Sequence, residues 1–270
     1  MESSFKKKIG HQYNKFQNTI EQTNQNKKYL NYGYSCNLFD SMETRQERLC
    51  LSVFNMTEIK PNDIIVDVGF GSGEQDFLLE KNYAFKKLIG FNIAEEQVHY
   101  ANNRAYMRNL QDKLKFVYGM AEELPDIEAC SIDKIFSIEC AFYFDRSRFY
   151  KRAAEVLKHG GKMVLADISL NNPFGVIRKF NEDFNRFGTI SSNKAKWEKY
   201  FITKEVKSIR SKTFPGAMIA GIKIINILLR NTLSSEEYRE WLKMALYCQG
   251  ASISLLSGIY RYDLITLEKK

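Results

Sequence analysis

Two stretches of this 270-residue chain carry residue types that could do chemistry. The first is Asp67-Val68-Gly69-Phe70-Gly71-Ser72-Gly73. Glycines at alternate positions let a backbone turn sharply and approach a ligand closely. The spacing is GxGxG, not the GxGxxG of a dinucleotide fingerprint, whose third glycine opens a pyrophosphate-binding helix. Asp67 stands two positions before the first glycine, where it would repel a pyrophosphate and favour an ammonium group. The second stretch is Ser137-Ile138-Glu139-Cys140-Ala141-Phe142-Tyr143-Phe144-Asp145. Glu139 ends an apolar run, so its carboxylate should be partly buried, which is costly without a partner. A carboxylate with a raised pKa is a usable base near neutral pH. The rings of Phe142, Tyr143 and Phe144 present faces that attract cations. The plainer readings are a structural turn without ligand and a strand end with aromatic packing.

Positioning these residues requires a sheet. Ile64–Val68, Lys87–Phe91, Leu114–Tyr118, Lys134–Ile138 and Lys162–Ala166 are short apolar runs that read as buried parallel strands. Helix-like stretches at 73–82, 95–109 and 146–158 lie between them, and 43–58 reads as a helix before the first strand. Strands alternating with helices predict a doubly wound α/β sheet, with ligands outside the carboxyl ends of the strands. Both chemical stretches fall at such ends. In the polar segment before residue 30, Phe5, Ile9, Tyr13, Phe16 and Ile20 recur at helical spacing and predict a helical arm.

With the motifs in this order, the chain resembles the class I S-adenosylmethionine-dependent methyltransferases over residues 30–170. It is most similar to a small-molecule subset that includes macrolide-type O-methyltransferases, cyclopropane synthases and sterol and prenyl C-methyltransferases. The resemblance implies a Rossmann-like seven-stranded sheet, an N-terminal helical arm, a C-terminal helical lid and S-adenosyl-L-methionine as cofactor. It places Gly69, Gly71 and Gly73 under the methionine part, with Asp67 facing its cationic end. Gly90-Phe91-Asn92-Ile93-Ala94-Glu95-Glu96-Gln97 is similar to the second motif. Most members have an acidic residue where Asn92 stands; the subset has Asn or Thr, followed by a Gln where Gln97 stands, and an amide both donates to and accepts from ribose hydroxyls. The resemblance counts Ile93 among the cofactor contacts. Gly119-Met120-Ala121-Glu122-Glu123-Leu124-Pro125 is similar to the adenine motif, with Met120 in place of the usual Asp. Met120 would lie against the ring, the Ala121 N–H would bond it, and Glu122 would take its amino group. In the same subset the Tyr32-Gly33-Tyr34 segment folds over the cofactor, and Tyr34 would reach its carboxylate end.

For catalysis the resemblance assigns Glu139 and Tyr143. O-methylating members often carry a His base where Tyr143 stands. The three His of this chain do not serve: His11 lies in the polar arm, His99 in the helix after the second motif, and His159 at a turn where Pro is usual. Glu139 with Tyr143 is closer to prenyl and sterol C-methyltransferases, where aromatic rings shelter a cation and Glu removes a proton. N-methylation of an already deprotonated amine stays open, as does O-methylation with Tyr143 or Asp167 as base.

The remaining residues bear on the acceptor. The chain divides into an arm at 1–60, a cofactor-binding core at 61–170, and a substrate lid with the last strands at 171–270. These carry net charges of +3, −3 and +8, so the C-terminal excess equals the net +8 of the whole chain. Residues 173–200 read as mostly helical, with Phe174, Phe180, Phe184, Phe187 and Trp197; Ser234-Ser235-Glu236-Glu237 caps a helix running to about Cys248; Tyr260–Leu267 reads as the last strand. Residues 215–231 are strongly apolar but shorter than the ~18 residues taken as a spanning stretch. Pocket lining, peripheral membrane contact and pairing with a second subunit are all open to them. The expected function is C-, O- or N-methylation of a small, largely apolar, isoprenoid- or lipid-like molecule. A nucleic-acid methyltransferase is the disfavoured alternative, because the fourth strand lacks the Asn/Asp-Pro-Pro-aromatic motif. A non-catalytic cofactor-binding or membrane-associated protein is the other. No metal site is expected: the five Cys form no CxxC, which with the absence of an apolar leader after Met1 points to the cytoplasm.

Overall fold

A computed structural model describes residues 10, 29–37, 39–171, 187–230 and 234–270. The helical expectation for 1–30, apart from Gly10 and the last two residues, and the aromatics Phe174, Phe180 and Phe184 lie outside the described residues. The elements run α1 (Met42–Thr57), β1 (Ile64–Val68), α2 (Glu74–Asn82), β2 (Lys87–Asn92), α3 (Glu95–Met107), β3 (Leu114–Tyr118), β4 (Ile132–Ile138), α4 (Arg146–Val156), β5 (Leu157–Leu170), α5 (Ile190–Trp197), β6 (Phe201–Ser208), α6 (Arg210–Arg230), α7 (Ser235–Ser257) and β7 (Tyr260–Lys269).

The strands form one seven-stranded sheet in the order β3-β2-β1-β4-β5-β7-β6. β1 pairs in parallel with β2 and β4, so the strand order reverses there and opens a crevice at their carboxyl ends. β7 inserts antiparallel between β5 and β6. One face of the sheet packs on α1, α2, α3, α6 and α7, the other on α4 and α5. This is the α/β class expected. The five parallel strands and β7 lie where their apolar runs put them. β6 was not anticipated: it is an edge strand with Lys204, Glu205 and Lys207, so no apolar run marks it.

Residues 215–231 need a correction. Residues 215–230 belong to α6, a helix of 21 residues that is long and apolar enough to cross a membrane, with 39% of its most apolar stretch buried in the protein, and Asn231 lies outside the described residues. The apolar stretch read from the sequence opens at Pro215. The helix instead begins at Arg210 and carries Pro215 inside it. α7 starts with the capping box expected at Ser234, whose side chain accepts the Glu237 N–H while Glu237 reaches back to the Ser234 N–H.

Candidate active site

Beyond β1 the chain turns through Gly69, Gly71 and Gly73 at φ 82°, 60° and 77°. This left-handed region is strained for residues with a Cβ. The Gly69 N–H donates to the Phe91 carbonyl at 2.8 Å, tying the turn to β2. A Cβ on Gly69 would lie 1.9 Å from Cys140 Sγ, so the loops after β1 and β4 touch at this point. Asp67 is wholly buried below the turn. One carboxylate oxygen accepts from Gln75 Nε2; Oδ1 has no hydrogen-bond partner. Burial pushes its pKa up to about 7, against the opposing hydrogen bonds. Asp76, also buried, lies against it, and burial followed by the Asp67 charge raises the Asp76 pKa well above the carboxylate range.

Asn92 closes β2 and links the next loops. Its Nδ2 donates to Gln97 Oε1 at 2.8 Å and to the Gly71 carbonyl at 3.3 Å, while its Oδ1 accepts the Ala94 N–H. Gln97 is buried with Nε2 unpartnered. Ile93 is half-buried between them. The Gly119 N–H bonds the Asn92 carbonyl at 3.0 Å, which brings half-buried Met120 and buried Ala121 to the same edge. Glu122 is also buried there and accepts the Asp145 N–H at 2.7 Å, joining this loop to the start of α4.

Glu139 sits just past β4 at φ 54°. Its N–H is fixed to the Ala166 carbonyl at 2.9 Å. Its Oε1 accepts twice at 2.7 Å, from the Tyr32 N–H and from the Tyr262 hydroxyl on β7. Among the described residues no hydrogen bond falls on Oε2. Burial raises its pKa to about 7, and the two donated bonds oppose that rise. Tyr32 packs closely on α6, since a Cβ on Gly216 would lie 1.6 Å from the Tyr32 carbonyl oxygen. Burial raises the Tyr32 phenol pKa well above its usual value, and Cys248, Glu139, Tyr143 and Tyr247 add to this. Tyr34 is held by its N–H to the Arg45 carbonyl at 2.7 Å, with its ring against the core.

The Tyr143 ring meets Phe142 at 4.5 Å, Phe142 meets Phe187 at 5.1 Å, and Phe187 meets Tyr260 at 5.2 Å between centroids. This aromatic row runs from the loop after β4 to the start of β7. Asp167 is not available as a base. Both terminal guanidinium nitrogens of buried Arg146 donate to its carboxylate, at 2.5 and 3.2 Å. Burial works most strongly against the Arg146 charge, but Asp167 and Tyr150 together outweigh it and keep the guanidinium protonated. Removing one partner strands the other charge in the interior. Arg146→Met or Asp167→Asn should therefore each lower unfolding free energy by about 3–5 kcal/mol in denaturant titrations, and Arg146→Met with Asp167→Leu should recover most of that loss.

The structure thus brings Asp67, Gly69, Gly71, Gly73, Asn92, Ile93, Gln97, Met120, Ala121, Glu122 and Glu139 to adjoining loops at one edge of the sheet. Tyr34 stands two residues after Tyr32, whose N–H bonds Glu139, and its own described bonds go to Arg45 and Arg48. Two residues went unread. Tyr262 lies 123 positions from the carboxylate it holds, and nothing local to either announces the bond. Arg146 had a signal: Asp167 is a lone carboxylate within an apolar strand, and such a group needs a buried partner. His99 and His159 are exposed and away from Glu139.

The residues fit S-adenosyl-L-methionine. An unpartnered buried acceptor at Asp67 and an unpartnered buried donor at Gln97 flank a turn in which Cβ-free positions leave room for a ligand. A methyltransferase domain family matches residues 66–165, which hold all but Tyr34 of these positions. The chain is 34% identical over 141 residues to the erythromycin 3''-O-methyltransferase of Saccharopolyspora erythraea, covering 52% of this chain and 46% of that protein. It is 31% identical over 164 residues to the 27-O-demethylrifamycin SV methyltransferase of Amycolatopsis mediterranei, covering 60% and 58%. The chain thus spans about half the length of these curated relatives. In fold it is similar to the 4+2 cyclase SpnF, with TM-score 0.78, 17% identity, and 97% and 94% of the two chains covered. That likeness speaks for the fold alone. Motif order, strand order and sequence match agree that residues 66–165 are similar to a methyltransferase domain.

Proposed function

We propose that the protein transfers a methyl group from S-adenosyl-L-methionine to a hydroxyl on a small, largely apolar molecule in the cytoplasm. The observation that carries this is Glu139, with Oε1 anchored by two donors and Oε2 open, beside the glycine turn. The cofactor, when bound, supplies an electrophilic methyl carbon. Asp67 would hold its ammonium end, Asn92 and Gln97 its ribose, and Met120, Ala121 and Glu122 its adenine. Glu139 Oε2 would take the proton of the acceptor hydroxyl as that oxygen is methylated. A carboxylate with a pKa of about 7 is matched to that transfer near neutral pH. Tyr143 and the aromatic row would hold the apolar body of the acceptor and exclude water. The relatives' O-methyl chemistry supports a hydroxyl acceptor. The five free thiols suit a reducing compartment.

The aromatic row favours a second reading, methyl addition to an alkene, in which ring faces shelter a carbocation and Glu139 takes a proton from carbon. Carbon-13 methyl-labelled cofactor, incubated separately with hydroxylated macrocycles, prenyl compounds and tRNA, separates the readings. A methoxy signal in a small molecule is expected. A C-methyl signal selects the second reading, and label confined to tRNA overturns both. Absence of cofactor binding in calorimetry overturns any transfer.

A further inference from the structure

α6 and α7 form an antiparallel hairpin with its own small core of Ile224, Ile227, Leu228, Trp241 and Ala245. The face turned to the body carries Thr213, Gly216 and Ala217 on α6 and Ala251 and Leu255 on α7. Other apolar side chains remain outside. On α6, Met218, Ile222, Ile225 and Leu229 are exposed at steps of four, three and four, a single stripe, with Leu229 at 77%. On α7, Leu242, Leu246, Ile253 and Leu256 are exposed in a second stripe, with Leu246 at 64%. Gln249 lies on the side of α7 that bears this stripe. Its Nε2 donates to the carbonyl of Met218, the first residue of the α6 stripe, at 3.3 Å. The two stripes therefore border one seam and make one outward face.

Charge selects what covers that face. α6 has four basic residues and no acidic one. Of these, Lys212, Lys223 and Arg230 are exposed and recur at steps of eleven and seven, a second row roughly a third of a turn from the apolar stripe. α7 carries three acidic and two basic residues, all near its N-terminal end, with Lys243 on Glu240 at 2.8 Å, so the basic excess belongs to α6. An apolar face beside a basic row is what a helix lying in a lipid interface presents: side chains enter the acyl boundary and Lys and Arg meet anionic headgroups.

We propose that the outward face of the α6–α7 hairpin docks the protein on an anionic lipid bilayer. The proposal does not depend on the acceptor assigned above. The hairpin's other side reaches the site, where Cys248 and Tyr247 neighbour Tyr32, so docking would set the candidate site close to the lipid.

Vesicle sedimentation of the full chain tests this, with phosphatidylcholine vesicles and with vesicles containing about a third phosphatidylglycerol. The expected result is binding about 10-fold or more tighter to the anionic vesicles, weakened by salt. Lys223→Glu with Arg230→Glu should abolish the preference for anionic lipid. Leu229→Asp with Leu246→Asp should weaken binding to vesicles, and both double variants should keep wild-type cofactor calorimetry. Absence of sedimentation with anionic vesicles overturns the proposal, as does equal binding to both vesicle types at every salt concentration. A dimer in light scattering that Leu229→Asp with Leu246→Asp dissociates also overturns it, by assigning the face to a second copy. The salt series on the unaltered protein stands even where a variant misfolds.

Discussion

Glu139→Gln leaves cofactor affinity within a few-fold and cuts turnover by about 10²-fold or more, the usual scale for loss of a general base. The amide keeps the shape of the carboxylate and an oxygen that accepts from the Tyr32 N–H and the Tyr262 hydroxyl. Only the ability to take a proton at the open oxygen is lost. The pH profile carries a second signature. Glu139 must be ionised to act, and burial holds its pKa at about 7, so turnover should rise with pH and level off above 7. The Tyr262 hydroxyl donates to the ionised form and lowers that pKa. Tyr262→Phe should therefore move the rising limb to higher pH while leaving the plateau nearly intact. Unchanged turnover in Glu139→Gln would make this carboxylate structural, and an unmoved limb in Tyr262→Phe would assign the profile to another group.

Gly69→Val abolishes measurable cofactor binding in calorimetry, with the circular dichroism of the fold retained. Two effects act together. A side chain at φ 82° costs about 1–2 kcal/mol in backbone strain. Its Cβ would fall 1.9 Å from Cys140 Sγ and 2.8 Å from Cys140 Cβ, an overlap relieved only by moving the loop that carries Glu139. Gly69→Ala with Cys140→Gly removes the second effect and keeps the first, so it should recover part of the affinity. Near-normal affinity in Gly69→Val would mean that the cofactor does not lie against this turn.

The sequence made the parallel half of the sheet legible because a strand buried on both faces leaves an apolar run such as Ile64–Val68. The glycine turn was legible because its spacing reports a backbone conformation. β6 was not, because an edge strand has one pairing partner and tolerates Lys and Glu. α6 starts five residues before the apolar stretch that marks it, because its first turns, Arg210–Phe214, are mostly basic and polar. The site divides the same way. Glu139, Asp67 and the three glycines are announced by their neighbours in sequence. Tyr262 and Arg146 act through partners brought near only by folding, and Asp167 stays open as a base in the sequence because its partner is not visible there.

The bond between Glu139 and Tyr262 also puts the site on a clock. A ribosome adding about 5–20 residues per second needs roughly 6–25 s to pass from one to the other. Through that interval the newborn chain holds a carboxylate with Tyr32 at hand but its second anchor still unmade. β5 meanwhile keeps a bare edge, since β7 is the strand that covers it, and β6, already made, has only β7 to pair with. An uncovered edge recruits other chains. The emerging protein is therefore exposed to aggregation in the same interval in which Glu139 lacks its second anchor, and a single late strand ends both conditions.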